Sequence, residues 1–256
     1  MSDIRERLIN RERLLGCWIQ TGSPSVGEIF AEVGYDWIAI DMEHSDIHIH
    51  EFTQIARAIY GRGPAVFARV RENDTLAIRQ VLDMGADGVI VPLVNNAEDA
   101  RRAVAAAKYP PLGVRGFGYA RMNQWGKNFD AYAEEANDRI AVIVMIESRE
   151  AVEHIDEILE VEGVDGVLIG PYDMSGSYGL TGQTSHPIVV NACKRVAEAC
   201  LEHHRAAGQH IVLPTREKVQ RAVDQGFSFI ALGCDLVFLR CSAENARNLF
   251  SEDDRV

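Results

Sequence analysis

The stretch Gly34–His44, GYDWIAIDMEH, sets the reading of the whole chain. It passes from a glycine turn into an apolar run, Trp37–Asp41, whose end carries Asp41, Glu43 and His44. Such a run, apolar on both faces, fits a buried strand, as in a parallel sheet covered by helices. Seven more runs share this character: Leu14–Gln20, Ala65–Val70, Gly88–Val94, Ala141–Glu147, Gly166–Pro171, His210–Pro214 and Phe229–Gly233. The stretches between them have helical period. Phe52, Ile55, Ala56, Ile59 and Tyr60 fall on one helix face, and Ile78, Val81 and Leu82, then Val152, Ile155 and Leu159, repeat the spacing. Gly34, Gly85, Gly163, Gly208 and Gly226 read as helix ends. Eight strands alternating with helices predict an α/β chain closed into a (β/α)8 TIM barrel. No linker or composition break divides it, so residues 1–256 are expected to form a single domain.

Composition narrows the function classes. Of 256 residues 47% are hydrophobic and 25% charged, enough for a sizeable core. The formal net charge is −12 with no dense Lys/Arg run, which disfavours nucleic acid and anionic membrane surfaces as partners. Met1–Arg13 is strongly charged, unlike a signal peptide, and no apolar stretch approaches the roughly 20 residues of a membrane span. Cys17, Cys193, Cys200, Cys234 and Cys241 are odd in number and form no CxxC, so small buried thiols in a reducing cytoplasm are expected.

Barrel active sites gather at the C-terminal strand ends. Those ends carry Gln20, then Asp41, Glu43 and His44, then Arg69, Glu147 and Asp173. A charge directly after a buried run is costly unless paired or bound to a metal. Glu147 and Asp173, two carboxylates from neighbouring strands, suit an oxygen-liganded divalent cation such as Mg²⁺, Mn²⁺ or Co²⁺. His44 is the candidate general base, since imidazole exchanges protons near neutrality. The other histidines, His210 among them, have no metal-ligand spacing and most read as surface residues. Each of the four lysines (Lys108, Lys127, Lys194, Lys218) lies away from a strand end, which disfavours a Schiff-base aldolase. GxGxxG, Walker A and GxSxG motifs are absent. The segment Tyr109–Arg139 is too long for an ordinary connection and too rich in Gly, Arg and aromatics for a linker. It suits an active-site lid, a subunit contact, or a helix and turn packed beneath the barrel.

In these residues the chain resembles the HpcH/HpaI aldolase family, metal-dependent pyruvate aldolases of the phosphoenolpyruvate/pyruvate barrel superfamily. The resemblance runs from about Leu15 to Asp235. It is carried by GYDWIAIDMEH, ARVRENDTLAIRQVLDMGADGVIVPLV, YPPLGVRG, IESREAVEHIDEILEVEGVDGVLIGPYDMSGSYG and Ser185–His186–Pro187, in order. It implies a lyase joining or cleaving a carbon–carbon bond between the enolate of a 2-oxo acid and an aldehyde. Glu147 and Asp173 would be metal ligands, His44 the base, and Arg69 the cation beside the enolate. Asp41 joins this catalytic group. The backbone at Tyr172 and Asp173 would hold the substrate carboxylate, with Gln20, Met145 and Leu213 in the substrate pocket. Asp83 matches an acid that raises the basicity of the histidine; lying at the far rim, it would act across a subunit interface in a trimer or hexamer, and the C-terminal helix is expected in subunit contacts. Met145 departs from a substrate-binding glutamine common in the family and cannot donate its hydrogen bond, so the acceptor pocket or the substrate pose is expected to be altered. The loop Gly116–Lys127 is shorter than in better-known members. Some relatives condense other 2-oxo acids, one branch forming citrate, which stands as the alternative reaction.

Overall fold

The computed structural model describes residues 4–250; residues 1–3 and 251–256, which the expected 1–256 domain includes, lie outside the described residues. In chain order the elements are α1 (Ile4–Ile9), β1 (Leu14–Ile19), α2 (Pro24–Val33), β2 (Trp37–Asp41), α3 (Ile49–Ile59), β3 (Ala65–Arg69), α4 (Thr75–Met84), β4 (Gly88–Val91) and α5 (Ala97–Ala107). There follow α6 (Phe129–Arg139), β5 (Ala141–Ile146), α7 (Arg149–Glu153), α8 (Ile155–Leu159), β6 (Gly166–Ile169), α9 (Pro171–Ser177) and α10 (Pro187–Glu202). Last come β7 (Ala206–Ile211), α11 (Arg216–Asp224), β8 (Phe229–Cys234) and α12 (Asp235–Arg247). The strands pair in parallel, each with the next and β8 with β1, closing the expected (β/α)8 barrel.

Alternation along the strands sorts the core into two layers. Inward residues Leu14, Trp18, Trp37, Ala39, Phe67, Ile143, Met145, Leu168, Phe229 and Ala231 fill the barrel. Outward residues such as Ile38, Ile40, Val142, Val144 and Val167 pack against the helices. Aromatic rings fill the N-terminal half of the barrel: Trp37 stacks on Phe229 at 3.9 Å and meets Phe67 edge-on at 5.9 Å. Ile4 and Leu8 of α1 join this inner cluster and close the barrel floor.

The structure moves several boundaries. The seventh strand is Ala206–Ile211, not His210–Pro214. AAGQHI lacks a Val/Ile/Leu run because its positions must be small: a Cβ on Gly208 would lie 2.7 Å from the Val167 carbonyl and 3.1 Å from the Phe229 ring. Gly208 therefore sits inside a strand and ends no helix. β4 stops at Val91, short of Val94, and Tyr60 is an exposed cap beyond α3 rather than part of its buried face. The Val152–Leu159 pattern is two short helices, α7 and α8, meeting at His154.

Tyr109–Arg139 runs under the barrel, on the N-terminal side of the strands. Arg121 donates to the Met84 carbonyl at the end of α4, and the buried Lys108 ammonium donates to the carbonyls of Asn137 and Ile140 just before β5. The segment takes the arrangement of a helix and turn beneath the barrel. Its outer face leaves Leu112, Val114, Phe117, Tyr119 and Trp125 exposed.

Candidate active site

Asp41 ends β2 and Arg69 ends β3, and the two are register partners. Asp41 is fully buried. Its carboxylate takes Arg69 Nε at 2.8 Å and a second bond from Nη2, Gln20 Nε2 at 2.9 Å, and the backbone N–H groups of Glu43 and His44 at 3.1 and 3.2 Å. Burial alone would raise its pKa; the Arg69 guanidinium and the Gln20 and His44 donors outweigh burial and hold it below the ordinary carboxylate range. The guanidinium lies 4.7 Å over the Trp18 ring, and among the described residues its Nη1 makes no hydrogen bond. That edge is available to an anion.

Gln20 is committed at both ends. Its amide donates to Asp41, its oxygen faces the Cys234 thiol at 3.4 Å, and its backbone N–H donates to the buried Asp235 carboxylate at 2.9 Å. The structure thus makes Gln20 a support for Asp41.

Glu147 follows β5 directly. It is 6% exposed, and its carboxylate accepts a hydrogen bond from the Leu93 backbone N–H at 2.7 Å. Leu93 reaches this position by adopting a left-handed backbone, φ 55°, uncommon for leucine. Burial raises the Glu147 pKa, the Leu93 donor opposes it, and the charges of Glu43 and Asp173 raise it further. Glu43 is raised likewise, by burial and then by Asp41 and Asp173 against the opposing pull of Arg69, and its Oε2 is buried without a hydrogen-bond partner. Asp173 is exposed in the first turn of α9, near enough to perturb both glutamates. Tyr172 beside it is also exposed. As the second and third residues of α9, the two have backbone N–H groups without intrahelical acceptors.

Three carboxylates (Glu43, Glu147, Asp173) thus lie near enough to act on one another, beside an Arg69 guanidinium that pairs with Asp41 and, at 3.4 Å from Nε, with Glu43. This surplus of negative charge, and a buried Glu43 oxygen that takes no hydrogen bond, fit a divalent cation. Among the described residues no group of three His, Cys, Asp or Glu side chains is arranged to hold a metal unaided. A cation on Glu147 and Asp173 would therefore complete its shell with water and substrate.

His44 stands at the rim, its side chain 62% exposed and its Nε2 3.7 Å from Glu43. Met145 is buried in the barrel two residues below Glu147. Leu213 lies half exposed on the loop beyond β7, where its carbonyl takes Lys218 Nζ at 3.0 Å. Asp83 lies at the opposite end, near the close of α4, and pairs with the buried Arg115 at 2.7 Å. Arg115 is further held by the Tyr132 hydroxyl at 3.2 Å and the Tyr109 ring at 4.6 Å. Within one chain Asp83 is not brought to His44. The cleft at this N-terminal end, about 520 Å³ and lined by charges of both signs such as Arg7, Asp36, Asp87 and Arg139, gathers none of the catalytic candidates.

Sequence reading missed two inner groups. His210, taken with the surface histidines, points into the barrel: its ring lies 5.7 Å from Trp18, and Nε2 is 3.2 Å from the Gly233 carbonyl. Placing it at the start of a strand hid that it ends one. Trp18, two residues before Gln20 on the same inward face, was recoverable from strand alternation.

A family model for HpcH/HpaI aldolase/citrate lyase matches residues 14–241. A 2-keto-3-deoxy-L-rhamnonate aldolase of Salmonella paratyphi A is 37% identical over 252 residues, 96% of this chain and 92% of that protein. The crystal structure of a HpcH/HpaI aldolase/citrate lyase family protein from Burkholderia cenocepacia superposes with a TM-score of 0.91 at 30% identity, covering 97% of this chain and 99% of that one. That of citrate synthase SbnG gives 0.82 at 31% identity, over 96% and 97%. With its barrel and the acids at its mouth, this chain belongs to the HpcH/HpaI aldolase/citrate lyase family and is a carbon–carbon lyase of the aldolase type, acting on small molecules.

Proposed function

We propose that the protein joins and cleaves the bond between a pyruvate-type enolate and an aldehyde, with a divalent cation (Mg²⁺, Mn²⁺ or Co²⁺) held by Glu147 and Asp173. The observation that carries this reading is the buried Glu147 at the end of β5, held by the Leu93 N–H, with Asp173 in the first turn of α9 and Glu43 paired to an Arg69 whose orientation Asp41 fixes. A cation bound there would supply Lewis-acid stabilisation of negative charge on the keto oxygen.

The chain's own groups divide the remaining work. The N–H groups of Tyr172 and Asp173 bind the 2-oxo acid carboxylate, and the uncommitted Nη1 edge of Arg69 meets the oxygen that becomes anionic. In cleavage His44 takes the proton of the aldol hydroxyl. The carbon–carbon bond then breaks, the aldehyde leaves, and the enolate carbon is reprotonated to give the methyl group. Condensation is the reverse. Asp41 and Gln20 act by holding Arg69 still. Met145 lies below Glu147 with a thioether that has no N–H to donate to substrate, and Leu213 stands over the mouth.

Asp83 serves His44 from a second copy of the chain in this reading, within a trimer or hexamer. The exposed apolar residues of Tyr109–Arg139 and the exposed Leu236 and Leu239 of α12 support such contacts. We place the enzyme in the cytoplasm; its cysteines are free thiols, and among the described residues no helix is long and apolar enough to cross a membrane.

The test is a screen of pyruvate with aldehydes and, separately, acyl thioesters, in the presence of each cation. Condensation with an aldehyde, unaffected by borohydride, is expected. Turnover restricted to a thioester would move the protein to the citrate-forming alternative, and inactivation by borohydride with pyruvate would overturn the metal-based reading.

A further inference from the structure

The proposed mechanism leaves an inward histidine unused. His210 ends the inward face of β7, half-buried beside Trp18. Its Nε2 lies 3.2 Å from the Gly233 carbonyl, which can only accept, so Nε2 carries the proton and Nδ1 keeps its lone pair. Among the described residues Nδ1 has no hydrogen-bond partner. The ring stays neutral: burial, reinforced by the Arg69 cation and opposed by the Gly233 carbonyl and the Asp41 carboxylate, holds its pKa down at about 4. Beside it Trp18, 3% exposed, has an indole N–H without a partner. A buried donor next to a free acceptor, both inside a barrel mouth, is the complement of a hydroxyl group, which offers one of each.

The pair lies beside Arg69, whose guanidinium covers the Trp18 ring, so it is next to the enolate, where the aldehyde must approach. Glu43, Glu147 and Asp173 come from the ends of β2, β5 and β6. The arc from β7 through β8 to β1 presents His210, Cys234 and Gln20, and its one acid, Asp235, is consumed by the N–H groups of Gln20 and Thr21 and the Thr21 hydroxyl. Resting on the reading that the protein condenses a 2-oxo acid with an aldehyde, we infer that His210, with Trp18 beside it, is a specificity-determining residue whose Nδ1 accepts a hydrogen bond from a hydroxyl on the aldehyde. An aldehyde lacking that hydroxyl leaves both groups unmet, and sites built to hydrogen-bond a substrate group discriminate strongly against analogues without it.

The experiment measures kcat/KM for condensation of pyruvate, with Mn²⁺, against glycolaldehyde and acetaldehyde, and against 2-hydroxypropanal and propanal. Wild type should favour the hydroxylated member of each pair by on the order of tenfold, the worth of one hydrogen bond. His210→Leu should bring both ratios to near unity. His210→Phe keeps a ring against Trp18 without a lone pair and should do the same, so the result does not hang on one variant folding. The wild-type preference should be flat between pH 6 and 8.5, since the ring does not titrate there. Equal kcat/KM within each pair in wild type, or ratios that survive in either folded variant, would overturn the inference alone. A wild type that condenses no aldehyde would overturn the parent reading and this inference with it.

Discussion

Replacing Arg69 by lysine keeps a positive charge at the end of β3 but removes the fork that grips Asp41. The native guanidinium gives two bonds to that fully buried carboxylate, through Nε and Nη2, and lies flat over Trp18. An ammonium can replace at most one of these bonds in the same direction. The lost charge-assisted bond is worth ~1.5–3 kcal/mol, and the lost stacking on Trp18 adds ~0.5–1 kcal/mol. The sum, roughly 2–4 kcal/mol, corresponds to a melting point lower by about 5–15 °C at this chain length. The catalytic loss is separate. Lysine cannot hold Asp41 and also present a fixed second edge to an enolate oxygen, so kcat should fall by about 10²–10³-fold, the usual effect of removing one positioned donor. Thermal melts measure the first quantity; aldol condensation kinetics at 20 °C, well below either transition, measure the second. A folded lysine variant with kcat within threefold of wild type would refute the role given to the Arg69 edge. A melting point unchanged within a degree would refute the two-bond account of Asp41.

Glu147→Gln should weaken Mn²⁺ binding, read by electron paramagnetic resonance, by at least tenfold, because a neutral amide replaces a carboxylate while the Leu93 N–H bond can persist; unchanged affinity would remove Glu147 from the ligand set. His210, neutral in the fold with a pKa of about 4 against ~6.5 when unfolded, binds more protons in the unfolded chain, so stability falls as pH drops from ~6.5 toward 4. That contribution is at most ~3 kcal/mol at 1.36 kcal/mol per unit, and denaturant titrations of His210→Phe should lack that part of the slope. Gly16→Ala should destabilise by ~1–3 kcal/mol or more, since the new Cβ would lie 2.1 Å from the Trp37 ring in the barrel floor; an unchanged urea midpoint would contradict the packing described. Sedimentation at assay concentration should show an oligomer, and a fully active monomer would separate Asp83 from His44 chemistry.

The barrel was legible because most of its strands are written in Val, Ile, Leu and Ala, which bulk and burial on both faces demand. β7 escaped for the opposite reason: close approach of Val167 and Phe229 to Gly208 calls for small residues, and small residues give no apolar signal. Asp41 and Glu147 stood out because acids placed directly after buried runs need partners. The partners themselves were less visible. That Leu93 supplies its backbone N–H to Glu147 depends on a left-handed φ that nothing in VPLVNN announces. The pairing of Asp83 with Arg115, 32 positions later, exists only once Tyr109–Arg139 has folded under the barrel. The bonds of Gln20 to Asp41 and Cys234 were likewise hidden, because its amide type and rim position are the same for a substrate ligand and for a support.

The most direct test of the central claim needs no knowledge of the aldehyde. Pyruvate in deuterated water, with protein and Mg²⁺, Mn²⁺ or Co²⁺, should lose its methyl proton signal through enolate formation. The loss should cease when EDTA removes the cation and return when it is restored. A cation-loaded protein that exchanges the methyl protons no faster than buffer, or one that exchanges them equally well after EDTA, would contradict the account.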